Sequence, residues 1–297
     1  MTERCGLVAV LGLPNAGKST LVNALVGQKV AIVTPKPGTT RTRLIGVALS
    51  GESQILLVDT PGLFDAKRRF DRAMVQAAWG GAEGADVLLL VVDAKSGAGA
   101  KLDPILAALA GRPEPKLLVL NKVDVADKGK LLRHAQSLNE RLAVAETFMV
   151  SATTGDGIDA LKARLAAAMP EAPWHFPEDQ ASDAPERLLA AEVTREQLFL
   201  QLHQELPGAS AVVTEQYQER PDGSVELHQQ ILVERDSQRA IVLGKGGARL
   251  KAIGSAARTE LARLLETRVH LYLHVKVAPK WSEDRDVYRE IGLEWSN

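Results

Sequence analysis

Through its first half the chain gathers apolar residues into short, near-continuous runs separated by polar, glycine-rich turns: Leu7–Leu11, Ile55–Val58, Val87–Val92, Leu117–Leu120 and Phe148–Val150. Strands that are apolar at consecutive positions are buried on both faces, so the pattern predicts a mostly parallel sheet with helices on both faces. Thr20–Leu25 predicts the first of those helices, immediately after the first run. The longest run, Val87–Val92, is far short of the roughly 20 apolar residues a spanning helix needs. The rhythm then breaks between Ala166 and Pro185, where Pro170, Pro173, Pro177 and Pro185 alternate with acidic residues. Prolines at that density cannot continue a helix. The break predicts a linker over residues 173–184, with an α/β domain at 1–172 and a smaller α+β domain at 185–297.

In the second half, Leu188, Leu189, Val193, Leu198 and Leu202 recur at helical spacing, and Pro207-Gly208 is expected to end that helix. Alternating segments, Ala211–Val213 and Val225–Val233, flank Pro221-Asp222-Gly223 and predict a hairpin. An apolar stretch, Ala240–Leu243, leads into Gly244-Lys245-Gly246-Gly247, a helix from Ala248 to about Glu266, and a final strand, Val269–Val277.

Charge and cysteine usage narrow the setting. The 297 residues carry 36 Lys and Arg against 37 Asp and Glu, a formal net charge of -1. A globally basic nucleic-acid coat is excluded, and any RNA site must be local. A single cysteine, Cys5, allows no internal disulfide and suits a reducing cytoplasm. The start, Met-Thr-Glu-Arg-Cys, has no apolar stretch of a secretory signal. Any membrane contact is therefore expected to be peripheral, at the inner face of the cell membrane.

Candidate chemistry sits at the ends of the apolar runs. Gly12-Leu13-Pro14-Asn15-Ala16-Gly17-Lys18-Ser19 fits the phosphate-loop pattern G-x-x-x-x-G-K-[ST] between a strand and a helix that opens at Thr20. Backbone N–H groups there can wrap a polyphosphate, Lys18 can reach its β and γ phosphates, and Ser19 can hold Mg2+. Asp59-Thr60-Pro61-Gly62 places a carboxylate for the hydration shell of Mg2+ and a Gly62 N–H for the γ-phosphate. Asn121-Lys122-Val123-Asp124 supplies base choice, because the Asp124 carboxylate can accept from both guanine N1–H and N2–H2. Ser151-Ala152 stands where a backbone N–H could meet guanine O6. The position after Gly62, where many small GTPases carry a water-orienting glutamine, is Leu63. Slow intrinsic hydrolysis is expected unless another group completes the site.

With these motifs the first domain resembles the translation-factor class of GTPases. Pro37-Gly38-Thr39-Thr40-Arg41 looks like that class's switch element, with Thr40, or adjacent Thr39, capping Mg2+ in the GTP state. The second domain resembles a type II KH domain, whose G-x-x-G loop clamps a single-stranded backbone. Gly244, Lys245, Gly246 and Gly247, with Arg249, Lys251 and Lys280, are the expected RNA contacts, whereas Trp281 and Trp295 are expected to anchor packing. The two domains together resemble the Era family of bacterial ribosome-assembly GTPases over nearly the whole chain, including Val275-Lys276-Val277 and Pro279-Lys280-Trp281. That resemblance implies a monomer that binds and hydrolyses GTP, contacts the 3′ region of 16S rRNA in the 30S subunit, and times a maturation step. It also implies a K+ ion held partly by Asn15, which could neutralise charge between phosphates as an arginine finger does; alternatively Asn15 braces the turn. On this reading Lys18, Asn15, Thr40 and Gly62 carry the chemistry. Two other readings remain open: an RNA-binding scaffold with a structural nucleotide site, and a GTPase acting on a protein or tRNA partner.

Overall fold

The computed structural model describes residues 2–36, 38–63, 69–97, 99–202, 206 and 208–295. Two expectations, the switch residue Pro37 and the helix-ending Pro207, fall outside them. The chain divides into two compact units, one of Met1–Ala31, Thr40–Lys67 and Met74–Asp183, the other of Ile32–Thr39, Arg68–Ala73 and Ala184–Asn297.

The first unit is a six-stranded sheet ordered β2-β3-β1-β4-β5-β6, with β1 at Arg4–Leu11, β2 at Leu44–Ser50, β3 at Ser53–Asp59, β4 at Val87–Asp93, β5 at Lys116–Asn121 and β6 at Glu146–Met149. All pairs are parallel except β2 with β3. Successive side chains of a strand point to opposite faces, and the apolar runs accordingly feed two cores. Val8, Val10, Leu57, Leu89 and Val119 pack against α1 (Lys18–Val26) and α5 (Ile158–Ala168). Ala9, Leu11, Leu88, Leu90, Leu118 and Leu120 meet α2 (Arg69–Gly80), α3 (Asp103–Ala110) and α4 (Lys128–Arg141) on the other face. Parallel pairing brings the carboxyl ends of β1, β3, β4 and β5 to one edge of the sheet, where ligands of such folds bind.

The proline-rich stretch is bound to this unit rather than left as a tether. Pro170 O accepts from Cys5 N at 3.1 Å, Ala181 O accepts from Val47 N at 2.8 Å, and the Asp183 carboxylate accepts from Ile45 N at 2.7 Å. Gln54, fully buried in β3, accepts from His175 N and Phe176 N and donates to Phe176 O. Proline bars a helix here but leaves the neighbouring backbone groups able to pair with strand edges, so the predicted linker over 173–184 gives way to a unit boundary between Asp183 and Ala184.

The second unit runs α6 (Glu186–Gln201), β7 (Ala211–Glu219), β8 (Val225–Val233), α7 (Asp236–Leu243), α8 (Ala248–Leu264), β9 (Val269–Val277) and α9 (Arg285–Glu290). Its sheet is ordered β7-β8-β9, with β7 antiparallel to β8, a bulge between Thr214 and Gln216, and β8 parallel to β9. One face of that sheet is covered by α6, α7 and α8 through Leu198, Leu202, Ile231, Val242, Ile253 and Val275. A buried polar chain runs through the layer: Thr194 Oγ1 donates to Gln229 Oε1 at 2.6 Å, Gln229 Nε2 donates to Thr214 Oγ1, and Thr214 Oγ1 donates to Arg187 O. Trp281 is an anchor as expected, 3% exposed, donating from Nε1 to Ala209 O at 3.1 Å and packing edge-on to Phe70 at 5.4 Å. Trp295 packs against Tyr288 and under Arg285.

Two buried charges of α6 hold the segment before Thr40. Glu196 accepts from Val33 N at 3.0 Å, Arg195 donates to Thr39 O and to Glu192, and Lys36 Nζ donates to the carbonyls of Phe199 and Leu202 at the end of the helix. A cation over the last helical carbonyls satisfies acceptors that have no intrahelical partner.

Candidate functional site

At the carboxyl edge of the larger sheet three oxygen donors converge. Ser19 Oγ donates to Asp59 Oδ2 at 2.7 Å and lies 2.8 Å from Thr40 Oγ1. Thr39, the alternative, is engaged elsewhere, its Oγ1 donating to Lys36 O at 2.8 Å beside Thr34 Oγ1. The hydroxyl that faces Ser19 is therefore that of Thr40. Asp59 is fully buried and its Oδ1 has no hydrogen-bond partner. Buried carboxylate oxygens rarely go unpaired, and two hydroxyls with one carboxylate form the hard-oxygen set that suits Mg2+. Burial pushes the Asp59 carboxyl up to about 6, against the Ser19 hydrogen bond, the Lys18 charge and the Thr60 backbone. Burial likewise brings Lys18 down to about 8, with Asp59 opposing.

The loop from Gly12 to Ser19 is held from several sides. Lys18 Nζ donates to Gly12 O and Leu13 O at 3.2 and 3.0 Å, folding the side chain back over the loop. Leu63 N donates to Gly12 O at 3.0 Å, and Gly62 lies against Pro14. Leu63 itself is 3% exposed, its side chain in the core cluster that includes Leu11 and Leu88. Asn121, 2% exposed, donates to Ala16 O at 3.0 Å and accepts from Ala152 N at 3.1 Å, tying three motifs together. Lys122 Nζ donates to Asn15 O at 2.6 Å and pairs with Asp93 at 2.8 Å. Thr20 is half-buried in the first turn of α1, next to Ser19.

One sequence expectation needs correction here. Ala152 N is already bonded to Asn121, and Ser151 N donates to Asp156 O at 3.0 Å, so neither backbone N–H stands open toward a base. A buried asparagine whose amide must be satisfied takes the N–H first. Asp124 is exposed at the tip of the turn after β5, its carboxylate at the surface. Sequence reasoning missed Asp93: although burial works against it, hydrogen bonds from Lys122 and from the Lys95 and Ser96 backbone hold its carboxyl below the usual range. An acidic residue ending the Val87–Val92 run was the available signal. Asn15 is exposed with φ 63°, a left-handed position that asparagine tolerates.

In the second unit, Gly244-Lys245-Gly246-Gly247 joins α7 to α8. A Cβ on Gly244 (φ 69°) would lie 2.7 Å from the Arg249 Cβ, which enforces glycine at the point where the chain turns. Lys245 and Gly246 are exposed, as are Lys251 on α8 and Lys280 in the turn after β9. Arg249 Nη1 donates to Ile241 O at 2.9 Å, placing a cation over the end of α7. Ile241, two residues before the end of α7, is 46% exposed, a large apolar side chain at the surface.

Comparisons with known proteins agree with this geometry. A family described as "50S ribosome-binding GTPase" matches residues 7–122, and the KH domain family matches residues 205–282. The GTPase Era of Erythrobacter litoralis is 60% identical, covering 99% of this chain and 99% of its own. That of Afipia carboxidovorans is 56% identical, covering 98% and 95%. A crystal structure of Era in complex with MgGDPNP and nucleotides 1506–1542 of 16S ribosomal RNA superposes with a TM-score of 0.92 at 35% identity, covering 98% of this chain and 99% of that one. A variant of Aquifex aeolicus Era bound to GDP and AlF4- gives 0.92 at 35%, covering 97% and 99%. A strand-end phosphate loop, a Ser19–Thr40–Asp59 oxygen cluster and a KH unit with its glycine loop, in one chain 60% identical to a GTPase Era over its full length, place this protein in the GTPase Era family.

Proposed function

We propose that the protein is a GTP-hydrolysing switch whose second unit binds the 3′ region of 16S rRNA and which acts in assembly of the 30S subunit. The observation that carries this is the 98% coverage, at a TM-score of 0.92, by an Era structure that holds MgGDPNP and 16S rRNA nucleotides 1506–1542. The description "50S ribosome-binding" belongs to a match confined to the nucleotide-binding half, whereas the KH match lies in the half that carries the glycine loop.

In this reading the loop from Gly12 to Ser19 wraps the polyphosphate with its backbone N–H groups and the N-terminus of α1. Lys18 turns from the Gly12 and Leu13 carbonyls to the β and γ phosphates. Ser19, Thr40 and Asp59 would hold Mg2+, which when bound neutralises charge on the phosphate oxygens. Gly62 senses the γ-phosphate. Asp124 reads guanine N1 and N2, while Asn121 and Lys122 brace the phosphate loop against the base loop. With Leu63 buried, Asn15 would hold K+, which when bound supplies charge stabilisation. The protein acts as a monomer in the cytoplasm, and any contact with the membrane face is peripheral; among the described residues no helix is long and apolar enough to cross a membrane.

Turnover is expected to be several-fold faster in K+ than in Na+ at matched ionic strength, and Asn15→Ala is expected to erase the difference. Steady-state phosphate release measures both; equal wild-type rates in the two salts return Asn15 to a turn residue.

Replacing Lys245 and Gly246 with aspartate puts side chains and negative charge at the closest approach to a backbone. RNA affinity is expected to fall more than tenfold while RNA-independent GTP hydrolysis stays near wild type. Fluorescence anisotropy with a 16S 3′-end RNA over a salt series is the measurement. A folded double variant with unchanged affinity and salt slope would move the RNA site off the loop.

A further inference from the structure

Among the described residues α6, α7 and α8 cover one face of the β7-β8-β9 sheet, and the register sets the rows of the other: Gln216, His228 and Tyr272 form one, Glu226 and His270 a second, Gln230 and His274 a third, and buried Leu232 with exposed Lys276 a fourth. His228 and Tyr272 stack across that face, with ring centroids 4.7 Å apart and planes inclined by 21°. Tyr272 is 50% exposed, a large share for an aromatic side chain. Both rings are held through one carboxylate. Glu226 accepts from His228 Nε2 at 2.7 Å and from Arg220 Nε at 2.8 Å, while Arg220 also hydrogen-bonds the Tyr272 side chain. The other nearby carboxylate, Glu215, accepts from the Gln230 amide. Each acid on the face thus has a partner, and what remains outward is aromatic, imidazole, amide and the Lys276 ammonium.

From this geometry we propose that the open sheet face is a second RNA contact in which an unpaired base stacks on the outer side of Tyr272. The proposal rests on the RNA-binding reading above. β9 is the edge strand, so a base on Tyr272 continues the Gln216–His228–Tyr272 row by one step, where a fourth strand's side chain would stand. Rings already fixed by Glu226 and Arg220 lose little freedom when a base arrives. The glycine loop and Tyr272 share one strand as support, because α7, which ends at that loop, and α8, which follows it, both pack on β9. A KH loop clamps about four nucleotides. The RNA in the related Era structure runs from 1506 to 1542, far longer than that. Stacking is tolerant of base identity and draws on ring faces rather than charge. It therefore suits a strand already positioned by phosphate contacts at Lys245.

The test uses the full chain and two fluorescein-labelled RNAs, a 16S segment corresponding to 1506–1542 and a hexanucleotide taken from its unpaired 3′ end. Tyr272→Ala is expected to weaken binding of the long RNA about tenfold, to leave its salt slope unchanged, and to leave the hexanucleotide within twofold of wild type. Tyr272→Trp should restore long-RNA binding, and Glu226→Gln, which loosens both rings, should give an intermediate loss. Far-UV circular dichroism and thermal melting report that the second unit of each variant is folded. If Tyr272→Ala and His228→Ala both bind the long RNA like wild type while the Lys245 and Gly246 double variant loses it, the sheet-face contact is wrong and the loop assignment stands. If wild type binds neither RNA, the RNA-binding reading fails and this contact fails with it.

Discussion

Asp124→Asn is expected to weaken GTP binding by roughly 30- to 700-fold and to make xanthosine triphosphate the preferred nucleotide. The carboxylate, exposed on the turn after β5, can accept from both N1–H and N2–H2 of guanine. An amide offers one acceptor and turns an N–H toward a donor. Losing a charge-assisted pair of bonds costs on the order of 2–4 kcal/mol. Xanthine replaces the N2 donor with a carbonyl oxygen, which the new amide can reach. The backbone of the turn should not change, since Val123 N donates to Val150 O at 3.2 Å and Val125 N to Lys122 O at 3.2 Å regardless of the side chain. Competition of GTP and XTP against a fluorescent guanine nucleotide checks the result. A variant whose two affinities match those of wild type would remove Asp124 from base recognition.

The second large effect is expected from Gly17→Ala. Gly17 has φ 92°, and a Cβ built on it would lie 2.2 Å from Asn121 Nδ2. The left-handed conformation costs an alanine about 1–2 kcal/mol. Relieving the clash costs more, because Asn121 is buried and its amide joins Ala16 O to Ala152 N. Moving it leaves a buried carbonyl and a buried N–H without partners, at about 1 kcal/mol or more each. A total of about 3 kcal/mol lowers the thermal midpoint where the loop keeps its conformation, and lowers nucleotide affinity by near two orders of magnitude where the loop relaxes and must be restored on binding. The double variant with Asn121→Ala distinguishes the two parts: if the clash dominates, adding Gly17→Ala to Asn121→Ala costs much less than Gly17→Ala does alone. Additive losses in binding and melting would show that the backbone conformation, not the contact with Asn121, is what the glycine serves.

The nucleotide motifs were legible because each is a short, contiguous piece of chemistry at the end of an apolar run. Parallel pairing then has little choice but to bring those ends to one edge, so the sequence alone placed Lys18, Ser19, Asp59, Asn121 and Asp124 in neighbouring loops. The hairpin and the order of elements in the second unit were legible for a similar reason, since turn residues and periodicity are local signals, and Val269–Val277 forms the strand predicted for it. The strand β2 escaped notice. Its Leu44–Ser50 segment is broken by Gly46, and it is a strand chiefly because it pairs antiparallel with β3 and receives Asp183 and Ala181 on its other side.

What only the tertiary structure decided are relations between residues far apart in the chain. The choice between Thr39 and Thr40 depends on which hydroxyl faces Ser19 and which is drawn into the bonds at Lys36, a matter of a single rotation of the backbone that adjacent identical residues cannot encode. Arg195 and Glu196 read as surface charges of a helix, yet are buried and bonded to the backbone of Thr39 and Val33. Gln54 reads as an interruption in an apolar strand, yet it is satisfied by His175 and Phe176 more than 120 residues later. The stacked pair of His228 and Tyr272 comes from strand register, which brings together two rings that the sequence keeps 44 positions apart. Local pattern fixes which elements form and which chemistry they carry; partners for buried polar groups are chosen only when distant segments close around them, because water no longer competes for those bonds.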